Sequence, residues 1–247
     1  MRIRYELIVI GAGGTGTYFL KEISRFLQGE RKNMFCGFHI FDGDTVEEKN
    51  LSRQCFTTDD IGRNKAAVMA EVLGEAFDIA YKAHGCYLLT EKQLSDCVTK
   101  DSYDTRIIPI VVGCVDNHAC RLVMEKFFEE RESVILFDSG NEFSSGEVVY
   151  SYKMDGKIFG PVRSFYFPDV KKGDLRNREE VSCEELNNVA PQHIFTNMQA
   201  GNLLCAGVAN LLSEKITPGF VYYNALNYES GFVSFKNMNE AEKTSAS

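Results

Sequence analysis

The feature that most constrains the fold is a glycine-rich turn at residues 11–16, which lies between an apolar run at residues 6–10 and a helical pattern at residues 15–27. Its glycines are Gly11, Gly13, Gly14 and Gly16. In such a G-x-G-x-x-G turn the first glycine permits a tight turn, the second lets the backbone approach a phosphate, and the third allows close helix–strand packing. The following helix N-terminus offers N–H groups to an anion. The competing interpretation is a glycine turn without a ligand.

The first 140 residues alternate between strand and helix patterns, which is typical of parallel βαβ units. Strands are predicted at 6–10, 38–41, 79–84, 107–113 and 134–137, and helices at 15–27, 64–77 and 117–128. We therefore expect an α/β fold with a Rossmann-like, mostly parallel twisted sheet and helices on both faces.

The pattern changes after residue 140. Residues 146–152 alternate as a strand, residues 192–212 have a long helical pattern, and 220–225 and 232–235 are short strands around a turn. The charge-rich stretch at about 155–188 is predicted to be a long surface crossover. We thus divide the chain into a nucleotide-binding half (1–140), a C-terminal part of the same domain with antiparallel strands (141–238) and a frayed tail (239–247).

Composition excludes several classes of protein. The 27 Lys and Arg against 35 Asp and Glu give a formal charge of −8, which argues against a nucleic-acid backbone binder. The longest uncharged apolar run, 107–115, is far shorter than the roughly 20 residues of a membrane helix. Because no signal peptide and no C-x-x-C pair is seen, the eight cysteines are expected to be reduced in the cytoplasm, without a zinc ribbon.

Polar and charged residues follow the second strand closely. Asp42 ends that strand, where an acid would bind a ribose hydroxyl. Arg53 lies in a polar loop and Lys65 opens a helix, so both could neutralise a polyphosphate over the glycine turn. The same stretch contains Asp44, Asn50 and Gln54. The alternative is a pair of solvated surface cations and an ordinary helix cap.

A second acidic position follows the apolar strand at 107–113. Asp116 and Asn117 lie where ligands bind in open α/β sheets, and a carboxylate beside phosphates is a natural Mg²⁺ ligand. Either residue could instead cap the next helix. Arg121, one turn into that helix, could orient this loop or lie on the surface.

Four strings, VIGAGGTG, FDGDTVEEKNLSRQ, GRNKA and GCVDNHACR, together resemble the ubiquitin-activating superfamily, which includes ThiF, MoeB and HesA. The resemblance implies that Asp42 binds ribose and that Asp116 holds Mg²⁺ near the α-phosphate. It implies triphosphate contacts for Asn50, Arg53 and Lys65. The complete implied cofactor-binding set is Gly11, Gly13, Gly14, Gly16, Asp42, Asp44, Asn50, Arg53, Gln54, Lys65, Asp116 and Asn117.

The resemblance implies ATP-dependent adenylation of the C-terminal carboxylate of a small ubiquitin-like or sulfur-carrier protein, in a homodimer. The implied catalytic residues are Arg53, Lys65, Asp116 and Cys183, the last as a thiolate that accepts the acyl group. The segment around Cys183 is most similar to ThiF-type members of the PRTRC group. Departures are the missing zinc-binding C-x-x-C pairs, so that no structural zinc is expected, and the absence of the N-terminal helix with its arginine.

Two other functions are compatible with parts of this pattern. A non-catalytic nucleotide-binding subunit of a larger activating complex would use the same cleft without turnover. An NAD-dependent oxidoreductase would use the same glycine turn, but it would leave Arg53, Lys65 and Asp116 without a role.

Overall fold

The computed structural model describes residues 1–172, 192–215 and 217–236. The strands are β1 Arg2–Ile10, β2 Phe35–Phe41, β3 Tyr81–His84, β4 Thr105–Gly113, β5 Val134–Asn141, β6 Ser145–Met154, β7 Lys157–Gly160, β8 Gly219–Asn224 and β9 Glu229–Ser234. The α-helices are α1 Gly14–Phe26, α2 Lys65–Phe77, α3 Glu91–Cys97, α4 His118–Glu130, α5 Arg163–Tyr166 and α6 Ile194–Leu212.

These strands form one sheet in the order β3-β2-β1-β4-β5-β6-β8-β9, and β7 pairs with β6. The β1–β2, β1–β4, β2–β3 and β4–β5 pairs are parallel, whereas the β5–β6, β6–β7, β6–β8 and β8–β9 pairs are antiparallel. The predicted α/β fold with antiparallel extension is therefore confirmed. The chain leaves β1 toward β2 and β3 and returns on the other side as β4, so the carboxyl ends of β1 and β4 flank a topological switch point.

Both faces of the sheet are buried at its centre, which explains why residues 7–10 of β1 and 107–113 of β4 are continuous apolar runs. Leu7 and Val9 of β1 belong to a core shared with α1, α2 and α6. Ile8 and Ile10 face the opposite way, into a second core with residues of α3 and α4. Because successive side chains of a strand point to opposite faces of the sheet, β1 packs against the helices on both faces. Among the described helices, none is both long and apolar enough to span a bilayer.

The first part of the stretch at 155–188, which was expected to be a surface crossover, is regular secondary structure. Strand β7 and helix α5 lie there, and Arg163 is only 3% exposed because it pairs with buried acids of the sheet. The remainder of that stretch, including Cys183, and the tail lie outside the described residues. Helix α3 was also not predicted. The division of the chain at residue 140 stays a prediction, since a single sheet runs through both halves.

Candidate functional site

A cleft of about 770 Å³ opens at the carboxyl ends of the parallel strands, beside the switch point. It is lined by most of the predicted site residues, namely Gly11, Gly13, Gly14, Asp42, Asp44, Asn50, Arg53, Gln54, Lys65, Asp116 and Asn117. Gly16 is not part of the lining, and Cys183 lies outside the described residues. The sheet thus brings together residues that are more than 100 positions apart in the sequence.

The first, second and last glycines of the turn have different steric environments. Gly11 has φ +93°, and a Cβ there would lie 2.7 Å from the Cys114 carbonyl oxygen. A Cβ on Gly13 would meet no described atom within 4 Å, so this backbone borders open space in the cleft. A Cβ on Gly16 would lie 1.9 Å from the Gly11 carbonyl oxygen. Gly11 and Gly16 therefore serve the turn and its packing, while Gly13 leaves room for a ligand.

Asp42 joins the glycine turn to the loop after β2. Its Oδ2 accepts a hydrogen bond from the Ala12 N–H at 2.6 Å, and its Oδ1 accepts one from the Asp44 N–H at 2.8 Å. Burial raises the pKa of Asp42, and the nearby Lys65 acts in the opposite direction. The carboxylate is thus a structural clamp as well as part of the cleft wall.

Lys65 is held in the cleft by a buried ion pair. Its side chain is 7% exposed, and Nζ lies 3.0 Å from Asp44 Oδ2. Asp44 also accepts a hydrogen bond from the Tyr87 hydroxyl. Asn64 caps α2 by accepting from the Ala67 N–H, and its Nδ2 donates to the carbonyl of Asp44 at 3.1 Å. Tyr87 was not predicted as a site residue, and the helix cap, which was a competing interpretation, instead supports the site.

The loop after β2 presents an amide and a cation to the cleft. Asn50 is 3% exposed, and its side chain accepts a hydrogen bond from the Glu47 N–H at 2.9 Å. The buried Oε1 of Gln54 has no hydrogen-bond partner in the part of the chain that the structure describes. Within the same residues, Arg53 takes part in no ion pair. Gln54 and Arg53 thus retain polar groups that can interact with a ligand.

The loop after β4 contributes both a helix cap and a carboxylate to the cleft wall. Asn117 caps α4, since its side chain accepts from the Cys120 N–H at 2.9 Å. Asp116 is exposed and lines the cleft. Arg121 donates to the Val115 carbonyl at 2.6 Å, so it does orient this loop. The alternative of a surface position for Arg121 is wrong, because only 6% of the residue is exposed.

A buried ionic cluster that was not predicted from the sequence supports one side of the cleft. Arg163 Nε donates to Asp138 Oδ2 at 2.6 Å, and Arg163 also pairs with Glu147. On the other side, Arg121 Nε lies 3.5 Å from Asp138 Oδ1. Asp138 directly precedes Ser139, which lines the cleft. Two buried arginines therefore fix the end of β5.

Two of the thiols that line the cleft, those of Cys114 and Cys120, are not activated. Burial raises the pKa of Cys114 and raises that of Cys120 to about 12, so both are protonated at neutral pH. Both cysteines therefore serve as packing residues. All seven described cysteines are free thiols.

The fold and the cleft define a Rossmann-like α/β protein whose glycine turn and cations have the features of a nucleotide site. The chain belongs to the ThiF family, whose sequence model matches residues 3–246. The resemblance predicted from the four strings is thereby confirmed.

Curated relatives extend well beyond the matched region. Ubiquitin-like modifier-activating enzyme 5 of Drosophila melanogaster is 29% identical over 237 residues, which cover 92% of this chain and 54% of that protein. The SUMO-activating enzyme subunit uba-2 of Caenorhabditis elegans is 26% identical over 208 residues, which cover 79% of this chain and 31% of that protein. The chain thus spans about half the length of the first of these relatives.

Solved structures with the same fold include E. coli MccB, with a TM-score of 0.64 and 15% identity over 93% of this chain and 63% of that one. PaaA has a TM-score of 0.62 and 16% identity over 93% and 64%. At this identity the likeness is one of fold. MccB has also been solved with ATP, and with N-formylated MccA.

Proposed function

We propose that this chain uses ATP to adenylate the C-terminal carboxylate of a small ubiquitin-like or sulfur-carrier protein. The observation that carries the proposal is the single cleft in which the glycine turn, Arg53, Lys65 and Asp116 meet. The named relatives activate ubiquitin-like modifiers or SUMO, and they support the same class of substrate. A glycine turn alone could bind many nucleotides. The additional cations and carboxylate favour ATP-dependent adenylation over another nucleotide-binding function.

The cleft has suitable groups for ATP. The open space beside Gly13 suits a phosphate, which backbone N–H groups at the start of α1 can bind. The Gln54 Oε1, which has no partner among residues 1–172, 192–215 and 217–236, can accept a hydrogen bond from a hydroxyl or amino group of the nucleotide. Asp42, already fixed by two backbone amides, has further lone pairs for a ribose hydroxyl. We assign to nucleotide binding the predicted residues that line the cleft, namely Gly11, Gly13, Gly14, Asp42, Asp44, Asn50, Arg53, Gln54, Lys65, Asp116 and Asn117.

The oxygen donor set also suits a divalent cation. Asp116 is the residue that would hold Mg²⁺, which would supply positive charge at the phosphates. Asn117 is less suited to a direct role because its side-chain oxygen caps α4.

The proposed reaction is a displacement at phosphorus. An oxygen of the substrate carboxylate attacks the α-phosphorus, and the bond from this phosphorus to the bridging oxygen of the β-phosphate breaks. Pyrophosphate leaves with the electron pair, and no proton transfer is needed because the nucleophile is already ionised. Arg53 and Lys65 would stabilise the charge that develops on the leaving group, and the Asp44 ion pair would position Lys65 for this task.

A second step is proposed for Cys183. Its thiolate would attack the acyl-adenylate carbonyl, forming a thioester and releasing AMP. This step is inferred from the family resemblance, since Cys183 lies outside the described residues. Hydroxylamine-sensitive, reductant-sensitive attachment of the carrier to the wild-type chain, lost in Cys183→Ala but not in Cys205→Ala, would support it. Attachment that persists in Cys183→Ala would contradict it.

ATP–pyrophosphate exchange is the direct test of adenylation. Exchange should depend on a carrier with a free C-terminal carboxylate, and Arg53→Ala should lower it about 10²- to 10³-fold. The matched control is Arg25→Ala, an exposed arginine of α1 that pairs only with Glu22 within the described residues. ATP binding without exchange for any such carrier would favour the non-catalytic subunit, whereas binding of NAD in place of ATP would favour the oxidoreductase. Sedimentation with and without the carrier would test the proposed homodimer.

A further inference from the structure

Two histidines and a cysteine meet on the sheet face opposite α1 and α6. His39 is on β2, His84 on β3 and Cys97 at the end of α3. Their three possible ligand atoms all lie within 4.8 Å of one another. His39 is 7% exposed and Cys97 is 8% exposed, while His84 is partly open to solvent. None of the three lines the nucleotide cleft.

The spacing of these atoms is close to that around a tetrahedral metal ion. His39 Nδ1 lies 3.0 Å from His84 Nε2, and Cys97 Sγ lies 3.7 Å from the same nitrogen. Zinc bonds of about 2.0–2.1 Å to nitrogen and 2.3 Å to sulfur predict edges of roughly 3.3 Å and 3.6 Å. Little movement of these side chains would therefore be needed.

A buried carboxylate supports the cluster from behind. Glu6 is 1% exposed, and its Oε1 lies 3.0 Å from His39 Nε2. Its other oxygen accepts from the Thr99 N–H at 3.2 Å. Burial disfavours the carboxylate, but the hydrogen bonds from His39 and Thr99 outweigh it and lower the pKa of Glu6. When His39 Nε2 donates to Glu6, Nδ1 presents its lone pair to the cluster, as metal-binding histidines commonly do.

We propose that His39, His84 and Cys97 bind a zinc ion, with water as the fourth ligand and Glu6 as the positioning residue for His39. The mixed nitrogen and sulfur donors match the preference of Zn²⁺. On binding, the Cys97 S–H bond breaks, an S–Zn bond forms and the proton passes to solvent. The sequence prediction of no structural zinc rested on missing C-x-x-C pairs, and it does not cover this cluster, which the β2–β3 pairing assembles from distant positions.

The protonation states are compatible with metal binding. Burial lowers the pKa of His84 to about 4, so this imidazole is neutral and able to coordinate at physiological pH. Burial raises the pKa of Cys97 to about 11, so zinc must displace a proton and should bind more tightly as pH rises. The exposed Lys82 acts to lower the pKa of both residues, which favours the neutral imidazole and the thiolate that a metal ion requires.

The cluster adjoins the nucleotide cleft through β2 and β3. The Phe41 ring stacks on His84 with centroids 4.0 Å apart, and the His84 carbonyl accepts from the Asp42 N–H at 3.1 Å. A zinc ion would therefore join β2, β3 and α3 directly behind the loop that contains Asp42. The ion would hold these three elements together, and its binding does not depend on the proposed adenylation.

Zinc titration of the chelator-stripped chain tests the proposal, with a chromophoric chelator as competitor and Co²⁺ as the spectroscopic probe. We expect one Zn²⁺ per chain, a raised melting temperature, and a cobalt–thiolate charge-transfer band. Cys97→Ser and His84→Gln should each weaken zinc binding at least 10-fold, and Cys97→Ser should abolish the band. Glu6→Gln should weaken binding about 10- to 100-fold while retaining the band.

Cys205→Ser is the matched control, because this partly buried thiol lies on the opposite face, where it contacts α1. Circular dichroism reports the folding of each variant. Should Cys97→Ser fail to fold, His84→Gln carries the comparison, since His84 is partly exposed. Sub-stoichiometric zinc in the wild-type chain, or affinity unchanged in His84→Gln, would overturn the proposal.

Discussion

Two glycine-to-alanine changes in the turn at residues 11–16 should separate packing from ligand binding. The Cβ of Gly16→Ala would be built 1.9 Å from the Gly11 carbonyl oxygen. An ordinary contact of about 3.4 Å would need a shift of roughly 1.5 Å between the turn and α1. Because both contacting groups are backbone, we expect a loss of stability of about 1–3 kcal/mol or more.

Gly13→Ala should behave in the opposite way. Its added Cβ would meet no described atom within 4 Å, and the backbone, at φ −86° and ψ −145°, lies at the margin of the extended region, so stability should fall by no more than about 1 kcal/mol. The methyl group would instead occupy the space proposed for a phosphate. We therefore expect the affinity of Gly13→Ala for ATP to fall at least about 10-fold, which corresponds to roughly 1.4 kcal/mol of binding free energy.

Urea unfolding and ATP titration calorimetry on both variants give the required comparison. The expected result is a lowered unfolding midpoint with Gly16→Ala and a normal midpoint with weakened ATP binding in Gly13→Ala. Unchanged ATP affinity in a folded Gly13→Ala variant would refute the assignment of this turn to phosphate. A Gly16→Ala variant as stable as the wild type would refute the packing argument.

Three further changes test the supports of the cleft. Arg163→Met leaves the 3%-exposed Asp138 without its closest cation and should lower the urea-derived unfolding free energy by about 3–5 kcal/mol, whereas a loss below about 1 kcal/mol would contradict this account. Burial raises the pKa of Glu125 above its ordinary 4.5, so the protonated side chain stabilises the folded state below pH 4.5, and this stabilisation is lost as pH rises. Glu125→Gln should therefore have a higher melting temperature than the wild type at pH 7, and the difference should shrink toward pH 4. A constant difference across that range would argue against titration of Glu125. Asn64→Ala should cost about 1–2 kcal/mol in urea and also weaken ATP binding, because it removes the α2 cap and the bonds to the loop after β2; normal ATP affinity would limit its role to the helix.

The sequence predicts those parts of the fold in which the local pattern and the environment agree. The glycine turn and β4 were recognisable because a glycine after an apolar strand, and a strand buried on both faces, have distinctive patterns. Helix α3 was missed because seven residues with few apolar side chains give a weak periodic signal.

Residues that depend on distant partners were less predictable. Arg163 lies in a charge-rich stretch and was expected at the surface, yet Asp138 and Glu147 make its burial possible. Tyr87 contacts Asp44 only because the loop after β3 returns to the cleft. No local sequence pattern predicts such long-range contacts, because they depend on strand order and register.

The double use of the Asp42 carboxylate has a kinetic consequence. Because its two oxygens already bind the Ala12 and Asp44 amides, the turn and the loop after β2 are preorganised as one rigid unit. Binding a nucleotide should then require little ordering of the backbone, so less conformational entropy is lost on association. Amide hydrogen exchange at Ala12 and Asp44 should be slow before any ligand is added, and association should follow a single encounter step without a preceding loop closure.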